Sequence, residues 1–173
     1  MLYWEANFIG NIDLFLKCVQ QRLQDIDQQQ CIRDIQDSQM YSVYSGFKSA
    51  IYFESYLCKI VNFKYRQVLS KFRLRSFNLK VVTGKYENIA LENRICECCN
   101  QNQVEDEYHV LFKCTLYSDL REQYLLNVDY TLHNLHNFNT IMSEKEDVGK
   151  MYQLGRFVYH AMTKRKQALM IIV

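Results

Sequence analysis

Apolar positions along this chain recur mostly at helical spacing. From about 3 to 27, Phe8, Ile12, Phe15, Val19, Leu23 and Ile26 form one stripe, opposite Asn11, Asp13, Gln20, Gln21 and Gln24. That pattern predicts an amphipathic helix, interrupted afterwards by Gln28, Gln29 and Gln30. A second helix is predicted over about 37–58, with Met40, Tyr44, Phe47, Ile51 and Tyr56 or Leu57 inward. A third, over about 60–75, carries Val61, Tyr65, Val68, Leu69 and Phe72 on one face. Residues 79–82 read as a short extended piece, and residues 83–85, Thr-Gly-Lys, as a turn.

The C-terminal half continues in the same way. Helices are predicted to begin within 106–112, to run over 116–126 through Leu116, Leu120, Tyr124 and Leu125, and to run over 130–142 through Leu132, Leu135, Phe138 and Met142. Residues 143–146, Ser-Glu-Lys-Glu, fit a capping box. The helix it opens has Val148, Met151, Leu154 or Gly155, Val158 and Met162 on one face. Lys164, Arg165 and Lys166 follow, suited to the negative end of its dipole.

Composition agrees with a helical reading. There is no proline and only 5 glycines, so rigid turns are scarce. A length of 173 residues with 49% apolar content suffices for one cored domain. The expected fold is a mostly α-helical domain, with a helical region over 1–93, a metal-stapled module over 94–119 and closing helices over 120–173. No window offers the ~18 apolar residues that a membrane span needs, and the N-terminal residues do not read as a signal peptide. Seven cysteines, an odd and uneven set, point to a reducing, intracellular compartment rather than a disulfide framework. Cys18, Cys31 and Cys58 fall within apolar helical patterns and read as small buried hydrophobes.

Charge changes the picture locally. Net charge is only +2, yet residues 59–85 hold eight basic side chains and no acidic one. On the predicted third helix Lys64, Lys71 and Arg75 line one flank and Arg66 and Arg73 the other. Lys80 and Lys85 extend the block. Cations at helical spacing beside Tyr65 and Phe72 suit contact with phosphates, so RNA or DNA is the expected partner.

The candidate chemistry lies just beyond. Cys96-x2-Cys99-x9-His109-x4-Cys114 has the composition of a Cys3His zinc site. Four protein ligands leave no open position for water, so Zn2+ here would be structural rather than catalytic. Cys98 can replace Cys96 or Cys99 on sequence grounds. Glu97, Glu105, Asp106 and Glu107 are near enough in sequence to support His109, though most read as solvated surface. His133, His136 and His160 stand in no catalytic pattern, and no nucleophile–base pair, phosphate loop or paired-carboxylate motif is present.

The segments RLRSFNLKVVTGKY, ENRICECCN and EDEYHVLFKCTLYSDLR together resemble the C-terminal region of non-LTR (LINE-type) retrotransposon polyproteins, downstream of the reverse transcriptase. The likeness lies in the basic helix end at 71–75, in Gly84, Lys85 and Tyr86, and in Cys96, Cys99, the acids at 105–107, His109 and Cys114. Phe77 stands where the family often has a His, and Lys85 where it has an Arg. No Tyr-x-Asp-Asp polymerase loop and no recognisable endonuclease segment are present. The resemblance implies a non-catalytic, zinc-containing module that holds RNA or DNA near a polymerase domain, in the nucleus. The alternatives are a zinc-stabilised protein-interaction module and an inert, truncated element remnant.

Overall fold

The computed structural model describes residues 12–38, 41–126, 133–143 and 147–172. Among them are eight α-helical segments, here α1 Ile12–Asp37, α2 Ser42–Ser45, α3 Tyr56–Lys59, α4 Phe63–Arg73, α5 Lys80–Tyr86, α6 Ser118–Tyr124, α7 Leu135–Met142 and α8 Val148–Ile172. No strand occurs among the described residues; one isolated antiparallel bridge joins Ile95 to Val104. The fold is mostly α, as expected.

The centre of the molecule is the packing of α4 against α8. Leu69 and Phe72 of α4 are fully buried, as are Met151, Leu154, Phe157, Val158 and Ala161 of α8. The two helices approach closely at Gly155, where an added Cβ would lie 3.1 Å from the Tyr65 carbonyl oxygen. The side chain of Tyr65 then fits edge-on against Tyr152 and Tyr159. Asn62 starts α4 by accepting the Lys64 N–H, an N-cap bond that the sequence Asn-Phe-Lys supplies locally. Val61 does not join this core; it is exposed.

Behind α4 lies a buried ionic knot. Glu54 accepts from the Tyr44 hydroxyl and the Lys48 ammonium, each at 2.7 Å, and pairs with the Arg73 guanidinium. Arg73 also donates to the Met142 carbonyl at 3.0 Å, and its guanidinium lies 4.9 Å from the ring centres of both Phe47 and Tyr56. Only 1% of Arg73 is accessible to solvent. This knot explains why residues 37–58 do not form the predicted single helix. The segment wraps its polar groups around one guanidinium, with two short helical turns, α2 and α3, at either end. Burying those groups without each other would cost more than an interrupted helix.

Other expectations are revised. The glutamine tract does not interrupt α1, because Gln propagates a helix well and Gln30 bonds Asp34 one turn on. No residue of α1 is buried. Ile12, Leu16, Val19, Leu23 and Ile26 of its apolar stripe are exposed. Cys31 and Cys58 are exposed and Cys18 is half-buried, so none is a core residue. Residues 80–86 form no extended piece or turn but the helix α5, with Leu79 as its extended N-cap. Its N-terminal amides find their acceptors on a distant residue: Glu105 takes the Lys80 N–H on its side chain and the Val81 N–H on its carbonyl. Leu135 is exposed, although α7 buries Phe138, Ile141 and Met142. Helix α8 does not end at Lys164 but continues to Ile172, because Lys164 and Arg165 form tethers to Asp119 and Glu105 instead of caps. Residues 144–146 of the predicted capping box and the predicted helix start at 130–132 lie outside the described residues; Ser143 follows the end of α7.

Removing one partner of the knot leaves the others charged and buried. Arg73→Met should therefore destabilise the chain by about 3–5 kcal/mol, read as the change in urea unfolding midpoint at constant slope. An unchanged midpoint would contradict the buried role of this side chain.

Candidate metal centre

Cys96 and Cys99 sit on the turn of a short hairpin. Its arms are joined by the bonds Cys96 N–H to Gln103 O and Glu105 N–H to Arg94 O, both 2.9 Å. Asn102 turns the return arm with a positive φ of 52°, a conformation that Asn tolerates. The two sulfurs thus project from one end of the hairpin.

His109 and Cys114 come from the segment that follows. Asp106 starts it, accepting the His109 N–H at 2.7 Å. The backbone then winds as a π turn over His109–Lys113, closed by Cys114 N–H to His109 O at 2.8 Å. This winding solves a geometric problem. At ~3.6 residues per turn, positions five apart end about 140° apart around an α-helix. The wider π turn, bonded from i to i+5, brings them back to one face. Arg121 of α6 stabilises the turn by donating to Val110 O at 3.2 Å and Cys114 O at 2.6 Å.

The four ligand atoms all lie within 4.8 Å of one another. Cys96 Sγ is 3.9 Å from Cys114 Sγ, and Cys99 Sγ is 3.3 Å from His109 Nε2. A tetrahedral ion bonded to sulfur at ~2.3 Å and to nitrogen at ~2.0 Å spaces its ligands about 3.5–3.8 Å apart. The residues present therefore fit one metal ion. Cys96, His109 and Cys114 are buried. The Cys96 thiol is held well below its ordinary range, first by the hydrogen bond from Cys114 and then by His109. Cys114 is pushed up by that same bond and by burial.

Cys98 stands apart from this set. It falls with Cys96 and Glu105 in a second group of three, and burial pushes its thiol up to about 12.

The acids at 105–107 are not solvated surface. Glu105 and Glu107 are each 1% exposed. Glu105 receives Arg165 in a two-pronged ion pair at 2.6 and 2.7 Å, which ties the hairpin to α8. Glu107 has no hydrogen-bond partner among the described residues; Arg75 Nε lies 3.5 Å from it, beyond hydrogen-bond range. Burial raises its carboxyl to about 7. None of these acids supports the ring of His109, whose Nδ1 is buried without a protein partner among the described residues. Glu97 is exposed and pairs with Lys80 at 2.8 Å. Sequence reasoning missed Arg94, Arg121 and Arg165. The nearest signal was Asp106 three residues before His109, an N-cap spacing that marks a helical start and so a carbonyl end for Arg121 to receive.

The predicted phosphate-binding set divides. Arg73 is sequestered in the ionic knot and is not available to a ligand. Arg66 is half-buried and donates to the Ile60 carbonyl. Lys80 is paired with Glu97 and Glu87. Lys64 and Lys71 are exposed on α4, and no carboxylate pairs with either among the described residues. Arg75 and Lys85 converge on one cleft of about 420 Å³, shared with Arg94, Leu91 and Tyr86. The Tyr86 ring is 78% exposed. Gly84 brings α5 close to this wall: a Cβ there would lie 2.6 Å from Cγ of Arg94, which is pinned by bonds to the Ile89 and Val81 carbonyls.

Two outcomes follow. Elemental analysis should find about one metal ion per chain, lost in Cys96→Ser and His109→Ala but retained in Cys98→Ser. Glu107, with its carboxyl raised when folded, loses stabilisation as pH climbs from its unfolded value towards 7. Glu107→Gln should therefore gain melting temperature over the parent at about pH 8 and gain little at about pH 5.5; equal gains at both would refute the buried-carboxyl account. No protein-family model, no curated protein and no solved structure matches this chain.

Proposed function

We propose that this chain is a non-catalytic, zinc-containing module that binds single-stranded RNA or DNA. Among first-row ions, a closed site of three thiolates and one imidazole suits Zn2+, which needs no open position or redox change. Cys96, Cys99, His109 and Cys114 would hold it, and its binding energy would be folding energy for the hairpin and the π turn.

The observation that carries the nucleic-acid reading is the cleft beside this module. Arg75 and Lys85 reach it from different segments, with Arg94 behind them and the exposed Tyr86 ring beside them. Cations for phosphate and a free aromatic face for a base are what sequence-tolerant single-strand binding requires. Lys64 and Lys71 add exposed cations on α4, Lys71 at a second cleft that it shares with Arg165 and Lys166. In a longer polyprotein of the retrotransposon type, such a module would hold template or target strand near a polymerase. The chain itself carries no catalytic constellation in this reading; its role is positional.

The test is fluorescence anisotropy with a labelled 20-nucleotide single strand across a range of salt. Each lost phosphate contact should reduce the slope of log K against log salt by about 0.7. Lys85→Glu and Lys71→Glu should each lower affinity and flatten that slope. Tyr86→Ala should lower affinity by about 1–3 kcal/mol while leaving the slope unchanged. Binding that is absent, or that ignores salt, overturns the proposal.

A further inference from the structure

Helix α1 is long, regular and unburied along its entire described length. Ile12, Leu16, Val19, Leu23 and Ile26 are 75%, 56%, 39%, 57% and 44% exposed. Their spacing alternates four and three. That is a heptad register with Leu16, Leu23 and Gln30 at the a positions and Ile12, Val19, Ile26 and Arg33 at the d positions. A soluble helix with such a stripe needs something to cover it.

Among the described residues, none buries it. The body meets α1 at its C-terminal end, where α1 packs on α2 and Ile32 and Ile35 are half-buried. Those two residues occupy c and f positions, on the face turned away from the seam. Among the described residues, the apolar a/d positions from Ile12 to Ile26 are thus exposed, N-terminal to the point where the body holds the helix.

Charge on the two edges of the seam says what fits it. One edge, the e positions, carries Asp13, Gln20, Asp27 and Asp34; the other, the g positions, carries Phe15, Arg22 and Gln29. In a parallel pair of identical helices, a g residue meets the e residue five further on in its partner. That rule sets Arg22 against Asp27 twice, once in each direction, and Gln29 against Asp34. Neither Arg22 nor Asp27 has an ion pair within the chain among the described residues. An antiparallel pair would instead bring the acidic edges together. The polar Gln30 at an a position favours one register, as isolated polar seam residues do.

We infer that α1 is the seam of a parallel homo-oligomer, and that the occupant of its apolar stripe is the same stripe of another copy of this chain. Leu at a with β-branched residues at d favours three or four strands over two. Association is helped because each helix is anchored and ordered before it meets its partner, so helix nucleation is not charged to binding. The assembly would set several metal modules and basic clefts around one axis, and nucleic acid would be gripped with avidity. The inference itself does not rest on nucleic-acid binding.

Sedimentation equilibrium on the full chain, loaded with metal, tests it. A mass of two, three or four chains supports the seam. L16D/L23D should sediment as a monomer with metal content and melting temperature retained, because neither residue is buried in the single chain. R22D and D27R should each weaken association at least about tenfold, and the combined R22D/D27R chain should restore it by reversing the pair. A monomer at concentrations up to about 100 µM overturns the inference, and so does a double variant no stronger than the two single ones.

Discussion

One carboxylate joins the parts of this molecule that the metal alone could not. Glu105 leaves the hairpin with both side-chain oxygens and both backbone groups engaged. Its side chain takes Arg165 from α8 and the first amide of α5, its carbonyl takes the second amide, and its own N–H closes the hairpin on Arg94. A metal ion can fix four ligand atoms relative to one another. It cannot place that cluster against helices joined to Glu105 from 25 residues before it and 60 residues after it. The Glu105 hub does so, and it is tolerable at 1% exposure because every charge it carries is matched. The second buried knot, Glu54 with Lys48 and Arg73, performs the same task on the far side of α4.

The sequence was legible where structure is local. The fold class, the span of α4, the helix that became α8 and the four clustered ligand residues all follow from patterns within a few residues of each other. The metal ligands could be read because a Cys-x2-Cys turn and a short His-to-Cys gap permit few other uses. What could not be read depends on partners far along the chain. Residues 80–86 look extended with a glycine turn, yet Glu105 caps them into a helix, and Gly84 serves close packing on Arg94 rather than a turn. Residues 37–58 carry a helical pattern that yields to Arg73. The stripe on α1 has the expected amphipathic spacing, yet none of its described residues is buried, because periodicity states that a face needs covering and says nothing of what covers it.

The basic block shows why charge counts along a chain are a weak guide to a surface field. Its eight cations lie within 27 residues without an acid. Folding brings acids from elsewhere to several of them, Arg75 included, and leaves Lys85 at the cleft edge and two lysines on α4 with no carboxylate partner among the described residues. The remaining positive surface is smaller than the sequence suggests, but it is set beside an exposed tyrosine ring, which a count would never reveal.

The π turn over His109–Lys113 has a bearing on how chains of this kind could diverge. The gap between Cys99 and His109 is spanned by the hairpin's return arm, whose length can grow at the Asn102 bend without moving any ligand. The gap between His109 and Cys114 has no such freedom, since one residue more or fewer turns the thiol away from the imidazole. Related chains should therefore drift in the first spacing and hold the second. A search template that weights all gaps alike would penalise tolerated insertions and overlook the one interval that the backbone cannot vary.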